Sequence, residues 1–243
     1  MIALALLLAA CSNPGAATPT LAPTPPPSAQ PQPRAVTITA TDGVTLTGTL
    51  YGAGATAIIL SNMGDNDPGP WDAFAPQLAG RGYIVLTYKY RYPTNSSSFD
   101  SGMANHTLDD LRAAIAFVRG QGAQKLVLVG ASLGGMATAK AAAIEKPIAI
   151  VIMAAPVDLA AFNFRVEASE LRAIAAPKLF IGSEGDSTVP LADTRQMFDL
   201  SPDPKQLQTY PGSAHGVRLF KTEHGDDLRQ RLIAFITANA PPV

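Results

Sequence analysis

The chain has 243 residues and a formal net charge of −1, with 18 Lys and Arg against 19 Asp and Glu. That length suits one substantial core, and a near-neutral balance without a basic run argues against nucleic acid as a partner. One cysteine excludes an intrachain disulfide, and three scattered histidines match no metal-ligand spacing, so neither metal nor cofactor is expected.

The first element is an apolar run, Met1 to Ala10, reading MIALALLLAA. It is too short to cross a bilayer as a helix, which takes about 20 residues, and it fits the apolar segment of a signal peptide. No Lys or Arg precedes it, a departure from the basic start usual in such peptides. Directly behind it, Leu8-Ala9-Ala10-Cys11 resembles the lipobox of bacterial lipoproteins. The resemblance implies cleavage before Cys11, diacylation of its thiol, and an extracytoplasmic protein anchored to a bacterial membrane by its acyl chains. From Ser12 to about Arg34 the chain is dense in Pro, Ala, Thr, Ser and Gln, including Pro25-Pro26-Pro27. Such a segment lacks the apolar surface to fold; extended at about 3.1 Å per residue it reaches about 70 Å. The expected organisation is a signal peptide at 1–10, an acylated cysteine and tether at 11–34, and a folded domain at 35–243.

Val36 to Ala40 and Val44 to Tyr51 are rich in Thr, Val, Ile and Leu around Thr41-Asp42-Gly43, a hairpin signature. Short apolar runs then alternate with helical patterns. Strands are predicted at Ala57–Ser61, Tyr83–Tyr88, Lys125–Val129, Pro147–Met153, Pro177–Ile181 and Gln206–Tyr210. Helices are predicted at Pro70–Arg81, Asn105–Arg119, Gly134–Ile144 and Glu223–Thr237. This alternation specifies an α/β fold: a mostly parallel sheet of about eight strands, covered by helices on both faces and opened by an antiparallel hairpin.

Three segments carry chemistry. Gly130-Ala131-Ser132-Leu133-Gly134 is a G-x-S-x-G between a predicted strand and a predicted helix. A nucleophile on so sharp a turn tolerates no side chain at the flanking glycines, and the helix N-terminus behind it favours developing negative charge. Phe180 to Pro190 is a buried strand end followed by a polar loop with Asp186, and Tyr210-Pro211-Gly212-Ser213-Ala214-His215-Gly216 follows the last strand. Parallel strands deliver these loops to one sheet edge, so Ser132, Asp186 and His215 can converge.

With these motifs, residues 36 to 240 resemble the α/β-hydrolase superfamily, in particular its compact dienelactone-hydrolase-like esterases. The likeness rests on the elbow, on the G-x-x-D-x-x-V-P pattern matched from Gly182/Ser183 to Pro190, and on the G-S-A-H-G around His215. It implies Ser132 as nucleophile, His215 as general base and Asp186 as the group orienting the imidazole. It further implies an oxyanion hole from the backbone N–H groups of Leu133 and Met63; where many relatives have His-Gly, this chain has Asn62-Met63. Dienelactone hydrolases carry Cys at the elbow, so their substrate class does not transfer to Ser132. The expected substrate is a small acyl ester, because only about 25 residues separate the strands at Ile148–Met153 and Lys178–Ile181, leaving room for a small cap or none. Peptidase or thioesterase action on the same triad, and a non-catalytic binding protein of this fold, stay open at this point.

The other polar residues have plainer readings. Asp158 is a rival acid to Asp186, since some relatives place it there. His106 is read as a surface residue preceding a helix, His224 as a solvated helix start, and Asp109 and Asp110 as first-turn acids. Trp71 and Phe74 are read as helix packing, and Asp65 and Asp67 as lining a cleft or making a turn.

Overall fold

A computed structural model describes residues 32–95 and 100–242. The expected signal peptide, Cys11 and nearly all of the expected tether lie outside the described residues.

Eight strands form one sheet: β1 (Arg34–Thr39), β2 (Thr45–Tyr51), β3 (Thr56–Ser61), β4 (Ile84–Tyr88), β5 (Lys125–Ala131), β6 (Ala149–Met153), β9 (Lys178–Ser183) and β10 (Lys205–Tyr210). Their order is β1-β2-β4-β3-β5-β6-β9-β10. The opening hairpin pairs Thr39 with Thr45 antiparallel, β2 pairs antiparallel with β4, and every later pairing is parallel. The eight-stranded, mostly parallel sheet is therefore the one expected.

Successive side chains of a strand point to opposite faces, and β3, β5 and β6 are apolar through their centres for that reason. Ile59, Leu128 and Ile152 face the layer of α2 (Ser101–Gly120) and α3 (Leu133–Glu145). Ile58, Val129 and Val151 face α1 (Gly69–Ala79) and α6 (Gly225–Asn239), where Trp71, Phe74, Leu232 and Phe235 cover them. A 3-10 turn, Gly216–Lys221, packs on α1 through Phe220, which meets Trp71 edge-on at 5.5 Å and Phe74 at 5.4 Å.

The α2 helix begins at Ser101, four residues ahead of the expected start. Asp100 caps it by accepting from Met103 N–H at 2.9 Å, which starts a helix without an apolar stripe in its first turn. His106, Asp109 and Asp110 are consequently mid-helix, and the first-turn reading of the two acids is corrected. Asp110 is fully buried and grips Arg91 through Nε at 2.8 Å and Nη2 at 2.7 Å. Burial pushes its carboxyl above the ordinary range, against the lowering effect of Arg91.

Residues 154–177, between β6 and β9, make a small excursion. It holds a two-stranded hairpin, β7 (Asp158–Leu159) with β8 (Phe164–Arg165), and the short α4 (Ala168–Ala173). A further helix, α5 (Leu191–Leu200), links β9 to β10.

Candidate active site

The chain order reverses between β3 and β5: β3 leads outward to β4, whereas β5 leads the opposite way to β6. Loops leaving β3 and β5 therefore diverge and leave a crevice at their carboxyl ends, the general ligand site of open α/β sheets. Ser61 is level with Gly130 in the register, so the Met63 loop and Ser132 flank this crevice.

Ser132 stands at the β5–α3 turn with φ +53° and ψ −120°, a backbone region where a side chain costs about 1–3 kcal/mol. Neighbouring bonds hold it there. Its N–H donates to Met153 O at 2.8 Å, and its carbonyl accepts from Gly135 N–H at 2.9 Å and Met136 N–H at 3.1 Å. The flanking glycines are steric necessities. A Cβ at Gly130 would lie 2.1 Å from the Gly134 oxygen, and one at Gly134 would lie 2.4 Å from the Asn62 oxygen.

Asp186 and His215 come from the loops after β9 and β10. These loops are laced together by Glu184 N–H to Tyr210 O at 2.9 Å, Gly185 N–H to Gly212 O at 2.8 Å and Ser183 Oγ to Ala214 O at 2.5 Å. Asp186 Oδ1 accepts from Thr188 N–H at 2.9 Å and Val189 N–H at 3.1 Å. Its Oδ2 lies 2.7 Å from His215 Nδ1, and both side chains are buried. The two backbone donors orient the carboxylate, and the carboxylate orients the imidazole. Gly216 brings this loop over the elbow: a Cβ there would sit 2.7 Å from Met63 Sδ and 3.4 Å from Ala131 Cβ.

Half-buried Ser132 opens into a cavity of about 330 Å³, with Gly64 and Leu133 beside it. Pro156, Leu159 and Phe162 of the excursion form one wall, and Val189 and Pro190 the other. Two larger hollows, about 420 and 450 Å³, are lined by neither Ser132, His215 nor Gly64. Leu133 is the first residue of α3 and Met63 is buried; Gly64 is the residue of the Met63 loop that lines the cavity.

The remaining residues separate cleanly. Asp158 lines the cavity but pairs with Arg165, whereas the carboxylate on His215 is that of Asp186. His106 is exposed and meets Asp109 at 3.0 Å; His224 lies against the Tyr210 ring at 5.4 Å, half-buried rather than fully solvated. Asp67 closes a turn by accepting from Gly69 N–H at 2.9 Å, and Asp65 bonds Asp67 N–H at 3.3 Å. Trp71 packs as expected, its Nε1–H donating to Ser61 O at 3.1 Å. Among the described residues no cluster of three metal-binding side chains occurs, and no helix is long and apolar enough to cross a membrane.

Sequence reasoning missed the cavity walls at Leu159 and Phe162, and the buried Asn66 and Tyr90 behind the Met63 loop. The alternation Tyr88-Lys89-Tyr90-Arg91-Tyr92 is the one signal that could have found the latter, since period two places three rings on one face.

An α/β-hydrolase family model matches residues 52–237, and the chain belongs to that family. It is similar to an esterase domain from Rhodothermus marinus, at 21% identity and TM-score 0.66 over 84% of this chain and 98% of that one. An α/β serine hydrolase without a lid from Xanthomonas campestris gives 21% and 0.65, over 85% and 94%. A bromoperoxidase from Bacillus anthracis gives 15% and 0.67, over 84% and 99%. No curated protein matches the chain. Fold likeness at these identities spans different chemistries, so the reaction must be argued from the site.

Proposed function

We propose that this protein is a serine hydrolase of the carboxylesterase type that cleaves small acyl esters. The observation that carries the reading is the buried His215–Asp186 bond at 2.7 Å, set at the sheet edge where Ser132 opens into the cavity. With Nδ1–H donated to Asp186, the imidazole presents Nε2 as an acceptor. His215 then takes the proton of Ser132 as Oγ attacks the ester carbonyl, and Asp186 stabilises the imidazolium. The N–H groups of Leu133 and of the Met63 loop receive the oxyanion. His215 returns the proton to the departing alcohol, and water repeats the sequence to release the acid and restore Ser132. A 330 Å³ cavity walled by Leu159, Phe162 and Val189 suits a short acyl group, being at the small end of the range of about 300–1,000 Å³ for ligand pockets.

The test is labelling by a fluorophosphonate together with turnover of p-nitrophenyl acetate. Wild type labels and turns over, and Ser132→Ala does neither; a wild type that fails at both, or an alanine variant that matches it, refutes the reading. From the sequence alone we further propose that Cys11 is lipidated and holds the enzyme to a bacterial membrane outside the cytoplasm. Cys11→Ser then moves the protein from the membrane fraction to the soluble fraction, and unchanged fractionation refutes the anchor.

A further inference from the structure

The loop after β3, Asn62-Met63-Gly64, faces Ser132 across the crevice, and both of its peptide planes are held from behind. The Tyr90 hydroxyl donates to the Asn62 carbonyl at 2.9 Å, and the Asn66 N–H donates to the Met63 carbonyl at 3.0 Å. Neither peptide is cis, and in a trans peptide the C=O and N–H point in opposite directions. The Tyr90 bond therefore sets the direction of the Met63 N–H, and the Asn66 bond sets that of the Gly64 N–H.

Asn66 is built for this purpose. It is fully buried at φ +55°, a conformation uncommon outside glycine, and its amide is used on both sides. Nδ2 donates to Tyr92 O at 2.6 Å and Tyr90 O at 3.2 Å, while Oδ1 accepts from Tyr90 N–H at 2.8 Å and Asn62 Nδ2 at 3.3 Å. The same side chain thus locks the Met63 loop to the segment carrying Tyr90. The Tyr90 ring is fixed in turn, edge-on to Tyr88 at 5.4 Å and stacked on Tyr92 at 5.6 Å. On the far side, Met63 Sδ packs against Gly216 next to His215. A loop clamped at both faces cannot swing its N–H groups away when charge develops, and that is the condition under which such donors stabilise a transition state.

We propose that Tyr90 and Asn66 are positioning residues that aim the N–H groups of the Met63 loop at the oxyanion formed when Ser132 attacks. The inference rests on the serine-hydrolase reading above. Tyr90→Phe removes one hydroxyl and keeps the ring. It lowers kcat for p-nitrophenyl acetate about tenfold with KM nearly unchanged, less than the 10²–10³ lost with a whole donor. A trifluoromethyl ketone inhibitor, which forms the oxyanion adduct, weakens by the same factor. Tyr83→Phe is the control: it removes an equally buried hydroxyl that donates to Ala240 O at 2.9 Å at the opposite end of β4, lowers the unfolding midpoint comparably and spares kcat. Asn66→Gly keeps the left-handed backbone and loses the amide, so kcat falls further in the same direction. Should that variant not fold, Tyr90→Phe decides alone. Full kcat in Tyr90→Phe, lost kcat with unchanged inhibitor affinity, or an equal loss in Tyr83→Phe overturns the inference. A wild type that hydrolyses no ester overturns the serine-hydrolase reading and this inference with it, whereas an active wild type matched by Tyr90→Phe overturns only the clamp.

Discussion

In an Asp186→Asn variant the new amide has one favourable way to sit. Oδ1 of Asp186 accepts from Thr188 N–H at 2.9 Å and Val189 N–H at 3.1 Å, and Oδ2 meets His215 Nδ1 at 2.7 Å. Turned one way, the asparagine oxygen keeps both backbone bonds and its NH2 faces the imidazole. Turned the other way, the NH2 abuts two N–H donors and both bonds are lost. The first orientation wins, the amide donates to Nδ1, and the imidazole proton is forced onto Nε2. That nitrogen can no longer accept from Ser132. The same inversion in the trypsin-type triad lowers kcat about 10⁴-fold, equivalent to about 5.4 kcal/mol of barrier. The expected result is a loss of that order in p-nitrophenyl acetate hydrolysis at pH 7.5, with an unaltered circular dichroism spectrum. Asp158→Asn, whose carboxylate engages Arg165, keeps kcat within about tenfold, or 1.4 kcal/mol. An Asp186→Asn enzyme within tenfold of wild type, or an Asp158→Asn enzyme equally damaged, refutes the assignment of the acid.

Gly134→Ala sets a Cβ 2.4 Å from Asn62 O and 2.6 Å from Ser61 O. The clash is with backbone and costs about 1–3 kcal/mol; unchanged urea unfolding counts against the close packing of elbow and loop. Arg91→Met leaves Asp110 buried without its cation, a loss of about 3–5 kcal/mol at pH 7.5. Burial already raises the Asp110 carboxyl, and without Arg91 it rises further, so the folded state binds its proton more tightly than the unfolded state. Stability then falls as pH rises through the folded value, so the deficit against wild type shrinks between pH 7.5 and pH 5; an equal deficit at both is the refuting result. Phe162→Ala opens one wall of the cavity and raises the octanoyl-to-acetyl ratio of kcat/KM by about fourfold per additional CH2 accommodated; an unchanged ratio places the acyl group elsewhere.

The inner sheet was legible because strands buried on both faces need apolar residues throughout, and Ile58, Ile59, Val127 and Leu128 meet that need without ambiguity. The elbow was legible for a steric reason, as no residue but glycine fits at 130 and 134. Helix α5 escaped notice because only Thr194 and Met197 of it are buried, too few positions to set a period. The start of α2 escaped because a polar cap at Asp100, not an apolar stripe, begins it. Asp110 was misread for a related reason: its partner Arg91 lies 19 residues away, and a pairing made across the fold leaves no local pattern. The Asn66 clamp belongs to the same class, with bonds spanning 24 and 26 residues.

A binding protein of this fold and an enzyme differ in what they gain from strain at Ser132. At φ +53° any side chain costs about 1–3 kcal/mol, and a protein that only binds would shed that cost by carrying glycine. Ser132→Gly and Ser132→Ala both remove the hydroxyl and abolish hydrolysis, but only the glycine variant relieves the backbone. Elsewhere in a folded chain glycine is the less stable of the two by about 0.5–1 kcal/mol. Here the order inverts, and with a net gain of about 1 kcal/mol the glycine variant unfolds about 2–4 °C above the alanine variant. Equal midpoints, or a more stable alanine variant, refute the strain. The inverted order is what selection for a reactive hydroxyl predicts, since activity and stability then make opposite demands on one residue.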